Sequence, residues 1–295
     1  MHGRHVARLA HLIEKVNSEL IARQVAAALA EDLGAGDVTA ALVPASQQVR
    51  AQIIAREPAI LCGIDWAEAT FKQLDASIRV AWQAQDGDAI VADRAVVRLT
   101  GPARPILTGE RTALNFLQTL SATATAARRY ADAVAGTGCR ILDTRKTLPG
   151  LRLAQKYAAR CGGAYNHRLG LHDMVLIKEN HIIAAGSISG AIAMARQSSP
   201  GVPVEVEVES LGEFDQALDA GADIIMLDEL TLEDMREAVR RNRSRGSRAK
   251  LEASGSVTLA TVRDVALTGV DYVSIGGITK HVQAVDLSMR FEFAT

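Results

Sequence analysis

Residues Cys139–Lys178 read CRILDTRKTLPGLRLAQKYAARCGGAYNHRLGLHDMVLIK. A strand-like run, Arg140–Leu142, reaches Asp143 and then a polar loop, Thr144–Arg145–Lys146–Thr147, which Pro149–Gly150 closes. A helical pattern follows through Arg160 and stops at Gly162–Gly163. Asn166–His167–Arg168 then precedes a second apolar run, Met174–Ile177, which ends at Lys178. Strand and helix signals alternating in this way predict a parallel α/β fold, in which the carboxyl ends of the strands share the face where ligands bind. Arg145, Lys146, His167, Arg168 and Lys178 all fall at those ends or in the loops just after them. Cations gathered on one rim repel one another, so the pattern points to a highly charged anion, either a phosphate-rich sugar or a polycarboxylate. The alternative is a solvated basic face. Punctuation of the charges by strand signals, in place of a run along one helix, weighs against it.

Downstream the alternation continues. Strand-like runs at Val204–Val208, Ile224–Leu227, Lys250–Ala253 and Tyr272–Ile275 are separated by helical segments at Ile182–Gln197, Glu213–Ala220, Leu232–Asn242 and Leu259–Leu267. Two helix–strand joints echo each other, Ala220–Gly221–Ala222–Asp223 and Thr268–Gly269–Val270–Asp271. Repetition of one βα unit supports a barrel, but this half of the chain falls well short of the ~250 residues of an eight-unit barrel. The expectation is an incomplete barrel of six or seven strands. Polar residues recur where its strands end: Asp143, Lys178, Glu207 or Glu209, Asp228, Ser254 and Gly276–Gly277. In VEVEVES, Glu205, Glu207 and Glu209 share one face by the period of two, and the valines share the other. On a central strand these acids would point into the barrel mouth and need partners, supplied by the basic rim or by a divalent ion. Backbone N–H groups from Ser254 to Val257, and again around Gly276, could receive a phosphate.

Upstream, Val6–Glu31 reads as amphipathic helix, with Leu9, Leu12, Ile13, Val16, Leu20, Ile21 and Val25 at helical spacing. Glu31–Thr39, EDLGAGDVT, is a helix stop and a turn-rich acidic loop. Short strands follow at Val49–Ala55, Ile78–Trp82, Ala89–Ala92 and Ala95–Thr100, with a helix at Trp66–Leu74, so an α+β domain with an antiparallel sheet is expected. Gly109–Ala126 reads as a long helix with Arg111 in its first turn, where a cation opposes the helix dipole and hints at a role beyond stability. The fold class is therefore α/β: an N-terminal α+β, sandwich-like domain over 1–120 and the incomplete barrel, carrying the active site, over 121–282, with 283–295 packing back on the first domain.

Composition excludes several functions. Aromatic residues are 4% of the chain and the formal net charge is −1, which argues against a stacking platform and against a global field for nucleic acid. Cys62, Cys139 and Cys161 are widely spaced, none sits in a CxxC or Cys/His metal pattern, and an odd, sparse set suits a reducing, cytoplasmic setting. No run approaches the ~20 apolar residues that a membrane span needs, and the basic start lacks the apolar core of a secretory signal.

The motifs DTRKTLPGLR, GGAYNHRLGL and LIKENH, with EDLGAGDVT, GERTALNFLQTLS, VEVEVES, MLDE, EASGS and GGITK, resemble quinolinate phosphoribosyltransferase, also called nicotinate-nucleotide pyrophosphorylase (carboxylating), over nearly the whole chain. That resemblance implies transfer of phosphoribosyl from phosphoribosyl pyrophosphate to quinolinate with decarboxylation, Mg²⁺ as cofactor, and a homodimer with shared active sites. It implies that Arg111, Arg145, His167, Arg168 and Lys178 hold the carboxylates of quinolinate, and that Lys146 and Lys178 face the pyrophosphate. By the same resemblance Glu207 and Asp228 serve the ribose hydroxyls and the metal, and Ser254, Gly255, Gly276 and Lys280 surround the 5′-phosphate. Arg56 matches a basic residue that reaches in from the partner subunit. Lys146, Lys178, Glu207 and Asp228 are the candidate catalytic set. The chain departs from the family pattern at Ala122–Thr125, where Gly-Ile-Ala-Thr is common, and at Lys280–His281. Three rivals stand beside this reading: a related transferase with another acceptor, a non-catalytic phosphate-binding module, and a barrel aldolase using Lys178 as a Schiff-base amine.

Overall fold

The computed structural model describes residues 15–292. The described chain forms two compact units that interleave in sequence: 15–128, Leu148–Gly162 and 281–292 in the first, Arg129–Thr147 and Gly163–Lys280 in the second. The first opens with α1 (Ser18–Leu33), where Asn17 caps the amino end by accepting from the Glu19 N–H at 2.7 Å and Ile21, Val25 and Leu29 are buried at a spacing of four. The part of the N-terminal helical pattern with Leu9, Leu12 and Ile13 lies outside the described residues.

Strands β1 (Gln48–Ala55) and β2 (Ala59–Ile60), helix α2 (Ile64–Leu74), strands β3 (Arg79–Trp82), β4 (Ala89–Ile90) and β5 (Ala95–Pro102) and the long helix α3 (Ala103–Ala133) follow. The strand run ends at Pro102 and α3 starts at once, so the helix begins earlier than Gly109, and Arg111 is not in its first turn. The dipole argument for Arg111 therefore lapses. Next come β6 (Arg140–Leu142) and α4 (Arg152–Cys161). Helix α4 belongs to the first unit, where a single cut near residue 120 would exclude it. It buries Ala154, Ala158 and Ala159, Gln155 Nε2 donates to Thr123 at 3.2 Å, and Tyr157 packs its ring 6.1 Å from that of Trp66. Gly162 makes this approach possible, since a Cβ there would lie 2.2 Å from the Ala124 carbonyl oxygen.

The second unit continues with β7 (Val175–Ile177), α5 (Glu179–Ala185), α6 (Ile188–Ser198), β8 (Val204–Val208), α7 (Leu211–Asp219), β9 (Ile224–Asp228), α8 (Leu232–Ser244), β10 (Lys250–Ser254), α9 (Val262–Ala266), β11 (Tyr272–Ser274) and α10 (Gly277–Lys280). The pattern Ile182–Gln197 suggests one helix; there are two. Gly186 ends α5 with φ 81°, a left-handed value that costs glycine little, and Ser187 starts α6 by accepting from Gly190 N–H. Finally β12 (Leu287–Glu292) returns to the first unit and pairs antiparallel with β1 in a sheet ordered β12-β1-β5-β3.

Among the described residues the second unit holds one six-stranded sheet ordered β6-β11-β10-β9-β8-β7, and all its neighbours run parallel. Each strand from β7 to β11 pairs with the next in sequence, and β11 pairs back to β6, the order of a barrel open between β6 and β7. At that opening Tyr165 bridges to Leu142, with its N–H donating to Ile141 O at 2.8 Å and its carbonyl accepting from Asp143 N–H at 2.9 Å.

Candidate active site

Side chains alternate across the parallel strands. Val204, Val206 and Val208 are buried on the side of the flanking helices, while Glu205 and Glu207 face the other way. The register aligns Glu207, Met226, Glu252, Tyr272 and Arg140 in one interior layer, with Asp228 and Ser254 paired in the layer above. At the carboxyl ends Thr144, Arg145, Lys146, His167, Arg168, Lys178, Glu207, Asp228 and Ser254 line one cleft of about 430 Å³, together with Leu176, Met226, Glu252 and Ser274.

Local chemistry sets each group in place. Buried Asp143, at the end of β6, accepts from Asn166 Nδ2 at 2.7 Å and from the His167 amide at 2.9 Å, so the 166–168 segment is tied to the loop that carries Arg145 and Lys146. The Arg168 amide donates to His167 Nδ1 at 2.8 Å, which leaves the ring proton on Nε2. Nε2 faces Glu205 Oε2 at 3.1 Å and Glu252 Oε2 at 3.5 Å, and both carboxylates are fully buried. Burial, then the neighbouring Glu205, push the Glu252 carboxyl up to about 8 against the pull of His167 and Ser274. Burial, then Arg145, push the Arg168 guanidinium below its usual range, opposed by Glu205 and Asp173. A rim that strains its own cations is prepared for an anion.

Lys178 leaves β7 with its N–H held by His181 Nδ1 at 3.0 Å, and its ammonium pairs with Glu207. The Lys146 carbonyl accepts from the Thr279 hydroxyl at 2.8 Å, and its stem lies over Gly276, where a Cβ would come within 3.0 Å of Lys146 Cδ. After Asp228, Glu229 takes φ 52° and sets its carboxylate against Gly255, accepting from the Ser256 hydroxyl at 2.9 Å. The Val257 N–H is bonded to the Gly255 carbonyl at 2.8 Å, so it is spent inside the loop expected to offer it to a phosphate. Glu209 stands exposed beyond the end of β8, and Glu207 is the acid of that strand in the cleft. Lys280 is exposed in the last turn of α10. Arg56 and Arg111 belong to the first unit. Arg56 donates to Ser288 Oγ at 2.8 Å and pairs with Asp93 at 3.2 Å, and Arg111 is exposed on α3.

Sequence reasoning did not single out Glu252, nor Glu205 as a partner of His167. Their signal was present as the period of two in VEVEV and KLEAS, which places an acid inward on both strands.

Parallel strands whose carboxyl ends open a cleft lined with cations and carboxylates make this an open-barrel α/β protein with its candidate site on the face where that class binds ligands. Comparison narrows the class. Residues 37–121 match the family model for the N-terminal domain of quinolinate phosphoribosyl transferase, and residues 123–290 that for its C-terminal domain. The chain belongs to the quinolinate phosphoribosyl transferase family. It is 41% identical over 263 residues to a relative from Synechocystis sp., covering 89% of each chain. It is 40% identical over 266 residues to the nicotinate-nucleotide pyrophosphorylase (carboxylating) of Mycobacterium leprae, covering 89% of this chain and 94% of that one. The solved structure of the Francisella tularensis nicotinate-nucleotide pyrophosphorylase is similar at TM-score 0.93 and 45% identity, covering 96% of this chain and 99% of that one.

Proposed function

We propose that this chain transfers phosphoribosyl from phosphoribosyl pyrophosphate to quinolinate and releases CO₂ and pyrophosphate, giving nicotinate mononucleotide for de novo NAD biosynthesis. The observation that carries the reading is the single cleft in which Arg145, Lys146, Arg168 and Lys178 stand beside Glu207 and Asp228. A pure anion receptor gains nothing from carboxylates there. A transferase does, because positive charge develops at the anomeric carbon as pyrophosphate departs.

Arg145 and Arg168 grip the two carboxylates of quinolinate, with His167 beside them, and Lys146 and Lys178 neutralise the leaving pyrophosphate. Attack by the pyridine nitrogen on the sugar makes the ring a cation, so the adjacent carboxylate leaves as CO₂ with its electron pair stabilised beside N⁺. The protein supplies orientation and a dry pocket for the departure of CO₂ and no acid for it; the ring carbanion then takes a proton from solvent, which completes nicotinate mononucleotide. Mg²⁺ suits the donors present: Glu207 and Asp228 are partly exposed carboxylates on the cleft, and Mg²⁺ commonly takes one or two carboxylates together with substrate phosphates. Its chemistry here is charge neutralisation on the pyrophosphate. We place the enzyme in the cytoplasm as a homodimer; among the described residues no helix is long and apolar enough to cross a membrane. Ser254, Gly255, Gly276 and Lys280 would meet the 5′-phosphate, Arg111 the substrate, and Arg56 the neighbouring subunit's site.

Release of CO₂ and pyrophosphate from quinolinate plus phosphoribosyl pyrophosphate tests the reaction. Nicotinate should fail as acceptor, because a site built for two carboxylates leaves cations uncompensated when one is missing. Comparable turnover of nicotinate would overturn the assignment. The shared site predicts that inactive Arg56→Ala and Lys178→Ala subunits regain activity when mixed as heterodimers; no recovery in heterodimers verified by mass would count against it.

A further inference from the structure

The first unit contains a second cluster of reactive side chains. Cys62 Sγ, Cys161 Sγ and an Asp86 carboxylate oxygen all lie within 4.8 Å of one another. Cys62 is fully buried, while Cys161 and Asp86 are partly exposed. Each donor is fixed by its own surroundings. The Cys62 amide donates to Ser121 Oγ at 2.9 Å, and that hydroxyl donates back to the Cys62 carbonyl at 3.2 Å. Asp86 Oδ1 accepts from the amides of Gly63 and Ile64 at 3.0 and 3.2 Å, at the amino end of α2, and its Oδ2 accepts from the Tyr157 hydroxyl at 2.9 Å. Cys161 closes α4, whose next residue, Gly162, is wedged against the Ala124 carbonyl.

We propose that Cys62, Asp86 and Cys161 form a binding site for a thiophilic d¹⁰ cation of the zinc class. Two thiolates and a carboxylate are ligands that such an ion prefers. Zn–S bonds of about 2.3 Å and Zn–O bonds of about 2.0–2.2 Å place tetrahedral ligand atoms roughly 3.5–3.8 Å apart, which falls within the observed spread. The hydrogen bonds to Asp86 and the Ser121 clamp on the Cys62 backbone are the outer contacts that orient metal ligands. Uptake displaces one proton from each thiol to the buffer, and no electrons move. The fourth position is left to water, reached from the side where Cys161 and Asp86 meet solvent.

The test is titration of the reduced full-length chain with Cd²⁺, read by the ultraviolet thiolate-to-metal charge-transfer band, and with Zn²⁺, read by thermal unfolding. One Cd²⁺ per chain is expected, with Zn²⁺ raising the melting temperature. Cys161→Ser should abolish the band and the thermal shift. Tyr157→Phe, which keeps the ring packing, should weaken affinity about 10- to 100-fold, the scale for outer contacts of a ligand. The proposal is overturned if reduced protein shows no band, if the band survives in Cys161→Ser, or if Tyr157→Phe leaves affinity unchanged. It is also overturned if the thiols oxidise to a disulfide, two hydrogens lighter by mass, and take up no metal once reduced again.

Discussion

The two sheets of this molecule carry the same alternation and put it to opposite uses. In the antiparallel sheet, Ala51, Ile53, Ala55, Val97 and Leu99 turn inward to a core that also takes in Phe71, Leu114, Leu117 and Leu287, while Arg50, Arg98 and Thr100 face water. In the parallel sheet the apolar residues turn outward to the helices, and the acids Glu205, Glu207 and Glu252 face the interior. Period two alone does not distinguish the sheets. Flanking helices do, because they cover the apolar side of the parallel sheet and make its polar side the inside. The inversion has an energetic consequence. The first sheet is stabilised by area removed from water, whereas the interior of the second depends on each buried polar group finding a partner.

Mutations on the two insides should separate these regimes. His167→Ala should have the largest effect, about 3–5 kcal/mol, since it strips a partner from the buried Glu205 and Glu252. Equilibrium denaturation measures it, and a loss under 1 kcal/mol would mean the carboxylates are satisfied without the ring. Leu99→Ala, on the dry side of the first sheet, should cost about 2–5 kcal/mol by transfer and cavity terms. It should leave the quinolinate KM unchanged; a shift in KM would tie that core to the substrate site. Arg145→Lys keeps the charge on the rim but loses the two-pronged grip, so kcat/KM for quinolinate should fall by about 1.5–3 kcal/mol equivalent with little change in melting temperature. A lowered melting temperature with unchanged KM would make Arg145 a structural residue instead.

The smallest change at neutral pH is expected for Glu252→Gln, which replaces a protonated carboxyl by an amide of its shape. Its signature is in the pH dependence. Glu252 holds its proton in the fold up to about 8, against 4.5 for a glutamate in water. Between those limits the folded chain binds more protons than the unfolded one, so this contribution to stability is full below the unfolded value and is lost as pH rises through the folded one. Glu252→Gln should therefore flatten the fall of melting temperature across that window. An unaltered slope would place the proton elsewhere.

Much of this was legible in the residues. The barrel strands were predicted to within a residue at their ends, because β-branched runs bounded by turn signals leave little choice. The split of Ile182–Gln197 at Gly186–Ser187 was missed, since glycine and serine also occur inside helices and only the left-handed φ decides. The early start of α3 at Ala103 was missed because Gly101–Pro102 reads as a stop, when Pro102 ends a strand and the helix follows directly. On the rim, charge clustering found Arg145, Lys146, His167, Arg168 and Lys178, which the fold gathers in one cleft. Glu252 and Glu205 went unassigned because contact across β9 depends on register, which one chain of letters does not display.

The opening between β6 and β7 gives the barrel a mechanical property. A fully paired ring resists dilation all the way round, like a hoop, because widening it strains every ladder at once. This ring is closer to a split washer: among the described residues β6 and β7 share no ladder, and the free side of β6 carries the Tyr165 segment on two backbone hydrogen bonds. Those bonds are worth about 1 kcal/mol each. Arg145 and Lys146 follow the strand on one side of the gap, and His167 and Arg168 follow Tyr165 itself. Asp143 ties these four to one another, whereas Lys178 follows β7 on the other side of the gap, so the separation of Lys178 from the other cations can adjust to the anion without breaking a strand ladder.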